Sequence, residues 1–361
     1  MRKIKVLVVD DSAFMRKLII GFLLEDSRFE VVGIARNGRD AIQKVTELKP
    51  DVITLDVEMP ILNGIEALKE MMKVNPLPVV MLSSTTKEGA ENTILAMQYG
   101  AVDFILKPSG AISLDLHKVK EEIKEKVFHA AQVKKANLQR FEPILQTSIL
   151  NVEECSKIEN NEYSYKKFNL NKKIVCIGTS TGGPRALQQV LTRLPREMDA
   201  PLLIVQHMPP GFTKSLAVRL NSLCQIEVKE AEDGEILRKG IAYIAPGGFH
   251  LKVKKIGSSI AVQLDQSPPR NGHRPAVDVL FESVSKLSEY AKIAVIMTGM
   301  GSDGTDGLKE MKSTGEVLSM AEAEETSIVF GMPKSAIATN KVDIVVNLDE
   351  IATQIMKKLL K

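Results

Sequence analysis

Short runs of aliphatic and β-branched residues alternate with helical patterns through the first third of the chain, and this alternation leaves few folds open. The runs lie at residues 4–9, 31–35, 52–55, 79–82 and 103–106. A segment with helical spacing follows each, so the pattern reads as βα repeated five times. Parallel strands joined through helices bury both faces of their sheet, which predicts a doubly wound α/β domain with helices on both sides. In the first intervening segment Phe14, Leu18 and Phe22 recur every four residues behind Ser12, a favoured N-cap residue, and that stripe is expected to be buried.

At 361 residues the chain exceeds the ~250 to 300 at which single cores stop growing, so two domains are expected. The alternation dissolves from residue 126 to 171, where a charged helical extension runs into a stretch rich in Asn, Glu, Lys and Ser, and the whole reads as a linker. It resumes at 174–177, 202–206, 241–245, 293–297, 317–320 and 342–346, again with helical segments between most runs. The expected division is therefore 1–125, a linker at 126–171, and a larger α/β domain, also doubly wound, at 172–361.

No apolar run approaches the ~18 residues that span a bilayer, and the N-terminal MRKIKVLVVDDS reads as neither signal peptide nor anchor. Cys155, Cys176 and Cys224 form no C-x-x-C pair, which fits a reduced cytoplasmic setting without direct membrane insertion. The two domains carry net charges of −2 and +3, from 17 basic and 19 acidic residues in the first and 24 and 21 in the second. Neither has the basic stripe that holds many phosphates, so no nucleic acid partner is expected.

Asp10 and Asp11 close the first run and Asp56 closes the third, in DVITLDVEMP. Ligands of open α/β sheets bind at the carboxyl ends of the strands, where these three carboxylates should converge. They would repel one another without a cation among them, and Mg²⁺ accepts one or two carboxylates while keeping several waters. Ser83 and Lys107 arrive at the same edge, the latter in FILKP, and an ammonium beside a metal suits a phosphoryl group. Asp56 could then be the nucleophile, forming an aspartyl phosphate. The order VLVVDDSAFMR, LDVEMPILNG, VVMLSS and DFILKP resembles the response-regulator receiver domain over residues 1–125. The resemblance implies Asp56 as phosphoacceptor, Asp10 and Asp11 as Mg²⁺ ligands with it, Ser83 and Phe104 as switch positions, and Lys107 as the phosphate-sensing cation.

In the second domain GTSTGGPRALQQVL begins at Gly178, straight after an apolar run. A phosphate-binding P-loop would need Lys and Ser or Thr where Pro184 and Arg185 stand, and a dinucleotide loop would need glycine where Ser180 stands. The pattern G-x-S-x-G is met by Gly178, Ser180 and Gly182 between a strand and a helix, the context of a nucleophile elbow. Leu187, Val190, Leu191 and Leu194 then supply the buried stripe of that helix.

A serine needs a base. His117 and His129 precede the domain, leaving His207, His250 and His273. His207 follows PLLIVQ directly and should emerge at the edge that carries Ser180, whereas His250 and His273 follow glycine-rich loops of unreadable direction. IAVIMTGMGSDGTDG offers Asp303 and Asp306 as the acid, and Asp303 is nearer the strand. The order Ser, His, Asp is not that of the α/β-hydrolases.

GTSTGGP, VQHMPPGFT, APGGFHL, NGHRPAVDVLF, TGMGSDGTDGL and VFGMPKSAI resemble the catalytic domain of chemotaxis-type protein-glutamate methylesterases over residues 172–361. That resemblance implies a phosphorylation-activated serine hydrolase. It would demethylate γ-glutamyl methyl esters on methyl-accepting chemotaxis receptors, deamidate particular glutamines, and take its phosphoryl group from a chemotaxis histidine kinase. Ser180 would be nucleophile, His207 base and Asp303 its partner, with the Met300 N–H as oxyanion donor, Thr181 in support and no cofactor for the esterase reaction. Glu322 and Ala323 stand where the family usually shows Gln and Asp. The alternative is a response regulator whose second domain only binds. A DNA-binding output would show a basic helix-turn-helix, which residues 172–361 do not suggest.

Overall fold

The computed structural model describes residues 2–108, 115–134, 137–138 and 168–360. The chain divides into two units, Met1–Pro143 and Ile144–Lys361. Of the linker read at 126–171, residues 135–136 and 139–167 lie outside the described residues, as does Cys155.

The first unit holds β1 (Ile4–Val9), α1 (Ala13–Leu24), β2 (Phe29–Ala35), α2 (Gly38–Leu48), β3 (Val52–Asp56), α3 (Gly64–Val74), β4 (Val79–Ser83), α4 (Lys87–Gln98), β5 (Asp103–Leu106) and α5 (Asp115–Ala131). The five strands pair in parallel in the order β2-β1-β3-β4-β5. Side chains of β1, β3 and β4 are buried on both faces, as a sheet covered twice requires. Ser12, Asn37, Asn63 and Thr86 cap α1 to α4, each accepting from the backbone N–H three residues on. Such caps contribute about 1 kcal/mol each.

The stripe expected on α1 is corrected by one residue. Met15, Ile19 and Leu23 are buried, while Phe14 is 67% exposed. AFMRKLIIGFLL offers two apolar stripes about 100° apart, and spacing alone does not choose between them. α5 runs past residue 125, with Val127 and Ala130 buried, so the stretch read as linker begins inside a packed helix.

The second unit holds β6 (Lys172–Thr179), α6 (Gly183–Leu191), β7 (Leu202–Gln206), α7 (Phe212–Asn221), β8 (Glu227–Glu230), β9 (Ile241–Ile244), β10 (His250–Ile256), β11 (Ser259–Asp265), α8 (Val277–Ser285), β12 (Tyr290–Ile296), α9 (Thr305–Ser313), β13 (Val317–Glu322), α10 (Met332–Ile337), β14 (Ile344–Val346) and α11 (Leu348–Leu360). Seven strands form a parallel sheet in the order β14-β13-β12-β6-β7-β9-β8, and β10 and β11 make a separate antiparallel hairpin. On α6 the expected Leu187, Val190 and Leu191 are fully buried, with Leu194 just beyond. The hairpin brings Leu251, Val253, Ile260 and Val262 into one apolar cluster with Leu280, Phe281 and Val284 of α8.

In each parallel sheet the chain winds outward one way, returns to the centre and winds the other way. The reversal falls between β1 and β3 in the first unit and between β6 and β12 in the second, and a crevice opens at the strand ends there. No helix among the described residues is long and apolar enough to cross a membrane.

Candidate functional sites

Ser180 follows the last residue of β6 at the reversal point of the larger sheet. The elbow is tight because Gly182 takes φ +77°, which a side chain would strain. A Cβ on Gly183 would stand 1.9 Å from Gln206 Oε1 and 2.6 Å from Thr179 Oγ1, so only glycine lets α6 start this close to β7. The Gln206 amide fills that space. Its Oε1 accepts from the Thr179 hydroxyl, and its Nε2 donates to the Ser180 carbonyl at 2.9 Å and the His207 carbonyl at 3.2 Å. Thr179 is paired with Gln206 across β6 and β7, and the His207 N–H donates to the Thr179 carbonyl at 3.1 Å. Ser180 and His207 therefore leave two neighbouring strands at the same level.

On the other flank of β6, the loop after β12 supplies Asp303. His207 Nε2 lies 2.7 Å from Asp303 Oδ2, and both side chains are buried. Asp303 also accepts from three backbone N–H groups, Val277 at 2.7 Å and Asp278 and Gly304 at 3.0 Å each. Burial raises this carboxyl, but the His207 hydrogen bond and charge and the peptide donors outweigh it and hold Asp303 well below its ordinary value. The second His207 nitrogen, Nδ1, is buried without a hydrogen-bond partner. Asp306, the alternative acid, instead pairs with Lys309 on α9.

The loop after β12 also meets the elbow. The Ser180 N–H donates to the Thr298 carbonyl at 3.0 Å, and Thr298 Oγ1 donates to the carbonyl of the buried Thr181 at 2.9 Å. Gly299 O accepts from Met332 N and Gly331 N at 2.8 and 3.1 Å, which fixes the loop just before Met300. The Met300 N–H makes no hydrogen bond among the described residues.

At the reversal point of the first unit, Asp10, Asp11 and Asp56 each offer an oxygen within 4.8 Å of the others. Lys107 Nζ lies 2.7 Å from Asp56 Oδ2 and 3.0 Å from Asp10 Oδ2, and these buried oxygens have no other partner. Burial pushes Asp56 up to about 6, a rise that Lys107 opposes and Asp10 adds to. A crowded set of hard oxygens with capacity to spare fits Mg²⁺. The Ser83 hydroxyl donates to Gly89 O at 3.1 Å and accepts from Thr93 Oγ1 at 2.7 Å. Phe104 is buried, and Lys126 of α5 donates to its carbonyl at 2.6 Å.

Two neighbours of the Ser180–His207–Asp303 site had no role assigned from the sequence. The His273 ring stacks on His207 with centroids 3.8 Å apart and planes 10° from parallel. Asp278, buried in α8 beside Asp303, accepts from Asn271 Nδ2 and Gly307 N at 3.0 and 2.8 Å, tying down the loop that carries His273. Burial first, then the charge of Asp303, raises the Asp278 carboxyl. His273 was among the three candidate histidines, but a loop gives no direction to read. The third, His250, is buried at the start of the hairpin with Nε2 3.2 Å from the Pro268 carbonyl. His129 contacts Glu125 on α5, and His117 lies on the same helix in the first unit.

Two families match the chain, response regulator receiver domain over residues 6–117 and CheB methylesterase over 175–355. A protein-glutamate methylesterase/protein-glutamine glutaminase of Halalkalibacterium halodurans is 57% identical over 356 residues, 99% of this chain and 98% of that one. One of the same description from Bacillus subtilis is 51% identical, covering 98% and 97%. The crystal structure of the Thermotoga maritima CheB methylesterase catalytic domain matches with a TM-score of 0.50 and 47% identity, over 52% of this chain and 98% of that one.

Proposed function

We propose, for a chain that belongs to the CheB methylesterase family and carries a receiver domain in front, that Ser180, His207 and Asp303 hydrolyse γ-glutamyl methyl esters of methyl-accepting chemotaxis receptors when Asp56 is phosphorylated. The protein is a protein-glutamate methylesterase, a carboxylic ester hydrolase. Ser180 Oγ attacks the ester carbonyl while His207 takes the hydroxyl proton, and Nδ1 is the nitrogen left to do so because Nε2 is held by Asp303. The carbonyl oxygen becomes an oxyanion facing the Met300 N–H, and main-chain donors of this kind contribute about 2.7 to 4 kcal/mol each. The C–O bond breaks, His207 returns the proton to departing methanol, and water repeats the sequence on the acyl-enzyme. The same steps on a glutamine side chain release ammonia, which the double name of the relatives supports.

The observation that carries this reading is the meeting of three neighbouring strands at one edge, with His207 and Asp303 2.7 Å apart beside the Ser180 elbow. Ser180→Ala is expected to reduce methanol release from methyl-labelled receptor membranes by ~10⁴-fold or more, as loss of a catalytic serine does. A rate within tenfold of the parent refutes the assignment.

In the receiver, Asp56 attacks the phosphoryl group of the kinase phosphohistidine, the N–P bond breaks, and Lys107 neutralises the new charge. Asp10, Asp11 and Asp56 would hold Mg²⁺, which when bound supplies positive charge to the phosphoryl oxygens. Ser83 and Phe104 carry the change outward, and the unphosphorylated receiver restrains the esterase. A tenfold restraint needs ~1.4 kcal/mol of differential interaction. Asp56→Asn in the full chain should therefore stay at the basal rate when a phosphodonor and Mg²⁺ are added, while the parent accelerates. Equal stimulation of both removes Asp56 from the control.

A further inference from the structure

Glu322, the last residue of β13, is fully buried, and the hydrolysis derived above gives it no part. Its Oε2 accepts the Thr298 N–H at 2.8 Å, and its Oε1 is buried without a hydrogen-bond partner. A carboxyl in that position is not simple filling, because burying its two oxygens costs desolvation that an apolar side chain would avoid.

Thr298 is the residue through which the two halves of the hydrolytic site are joined. Its carbonyl accepts the Ser180 N–H, its hydroxyl donates to the Thr181 carbonyl and accepts from the Val329 N–H, and Met300 lies two residues on. Glu322 thus holds the peptide that positions both the nucleophile and the oxyanion donor. Its charged neighbour is Arg185, in the first turn of α6, and the uncharged groups acting on it are the Thr298 N–H and the Thr326 hydroxyl. Burial, only partly offset by these groups, pushes the Glu322 carboxyl up to about 7, while burial pulls Arg185 down to about 9.

We propose that Glu322 is a positioning residue for the oxyanion loop, and that its loss of a proton slows ester hydrolysis by placing a buried negative charge behind the strand end where the oxyanion forms. The inference rests on Ser180 and Met300 having the roles assigned above. Neutral Glu322 accepts the Thr298 N–H without opposing the developing charge. Ionised Glu322 still accepts it, but as a like charge it disfavours the tetrahedral intermediate. The pH profile of kcat/KM then falls as Glu322 loses its proton.

Glu322→Gln keeps an acceptor for Thr298 and cannot ionise. Between pH 6 and pH 9 the ratio of its kcat/KM to that of the parent should rise about tenfold, the factor that one pKa unit of coupling between two charges represents. Parallel profiles, or one constant loss at every pH, overturn the proposal. Ser180→Ala is run beside it, and activity surviving there sinks the site assignment instead, whatever Glu322 does. A second measurement avoids catalysis altogether. In full-length Ser180→Ala protein the Thr298 amide resonance should titrate with a midpoint near 7 and should not titrate once Glu322→Gln is added. If the glutamine variant does not fold, that resonance in the Ser180→Ala protein decides alone, and an amide flat from pH 6 to pH 9 overturns the proposal.

Discussion

The pocket proposed to accept a phosphoryl group and the site proposed for hydrolysis sit at the same point of two parallel sheets, yet they treat charge in opposite ways. In the pocket, Lys107 answers Asp10 and Asp56 together, and the Oδ2 atoms of both are buried with no other partner. In the hydrolytic site Asp303 alone receives His207 and three peptide N–H groups. The first arrangement is left short of positive charge, and a cation and a phosphoryl group suit it. The second is complete before substrate arrives, because groups that must reorganise during the reaction stabilise its transition state poorly. A strand-end crevice therefore fixes where a site lies, and the donors counted around each carboxylate tell what the site is for.

The sharpest way to break this contrast is to remove the completeness of Asp303. Asp303→Asn keeps the shape but offers an amide to His207 and to donors that need a carboxylate, and kcat is expected to fall by ~10⁴-fold, as when a triad acid is replaced by its amide. Methanol release measures it, and a loss below tenfold would mean that His207 is oriented by something else, His273 first among candidates.

A smaller effect of opposite sign is expected in the receiver. Asp56 is raised from 3.8 to about 6, so its stabilisation is present below the unfolded value and lost as pH rises through about 6. In metal-free buffer Asp56→Asn should gain on the parent by about 2 to 3 kcal/mol between pH 4 and pH 8. Asp303 is lowered, so its contribution holds above its unfolded value and goes only as pH falls through the folded one. Thermal unfolding across pH should show Asp56→Asn pulling ahead on the alkaline side and Asp303→Asn converging with the parent on the acid side. The same trend in both variants would erase the contrast.

The smallest effect concerns Ser83, whose hydroxyl is engaged by Thr93 and Gly89. Thr93→Val removes the 2.7 Å hydrogen bond and should cost about 1 kcal/mol of stability in urea unfolding. It should also tighten beryllofluoride binding in the presence of Mg²⁺, since Ser83 is freer to turn. Unchanged affinity would show that this hydrogen bond does not restrain the switch.

Legibility followed the physics of each element. Strands buried on both faces were plain because nothing but apolar residues fits there, so VITL in β3 and LLIV in β7 could be read directly, and Asp56 and His207 came with them as strand ends. β8, whose sequence is EVKE, and the charged hairpin β10–β11 were not read, because their faces are partly exposed and carry lysine and glutamate. On α1 the spacing was right and the face wrong. His273 and Asp278 had no strand end to announce them. Their roles depend on a loop conformation set by hydrogen bonds over sequence distances of 7 and 29 residues, which no local pattern encodes.

Gln206 grips Thr179, Ser180 and His207 at once, in a space kept open by Gly183. The seats of the proposed nucleophile and base are thereby tied to each other through the sheet and not through the loops around it. The loops around the site can then change without moving Ser180 relative to His207, so what surrounds the pair is separable from the spacing of the pair itself.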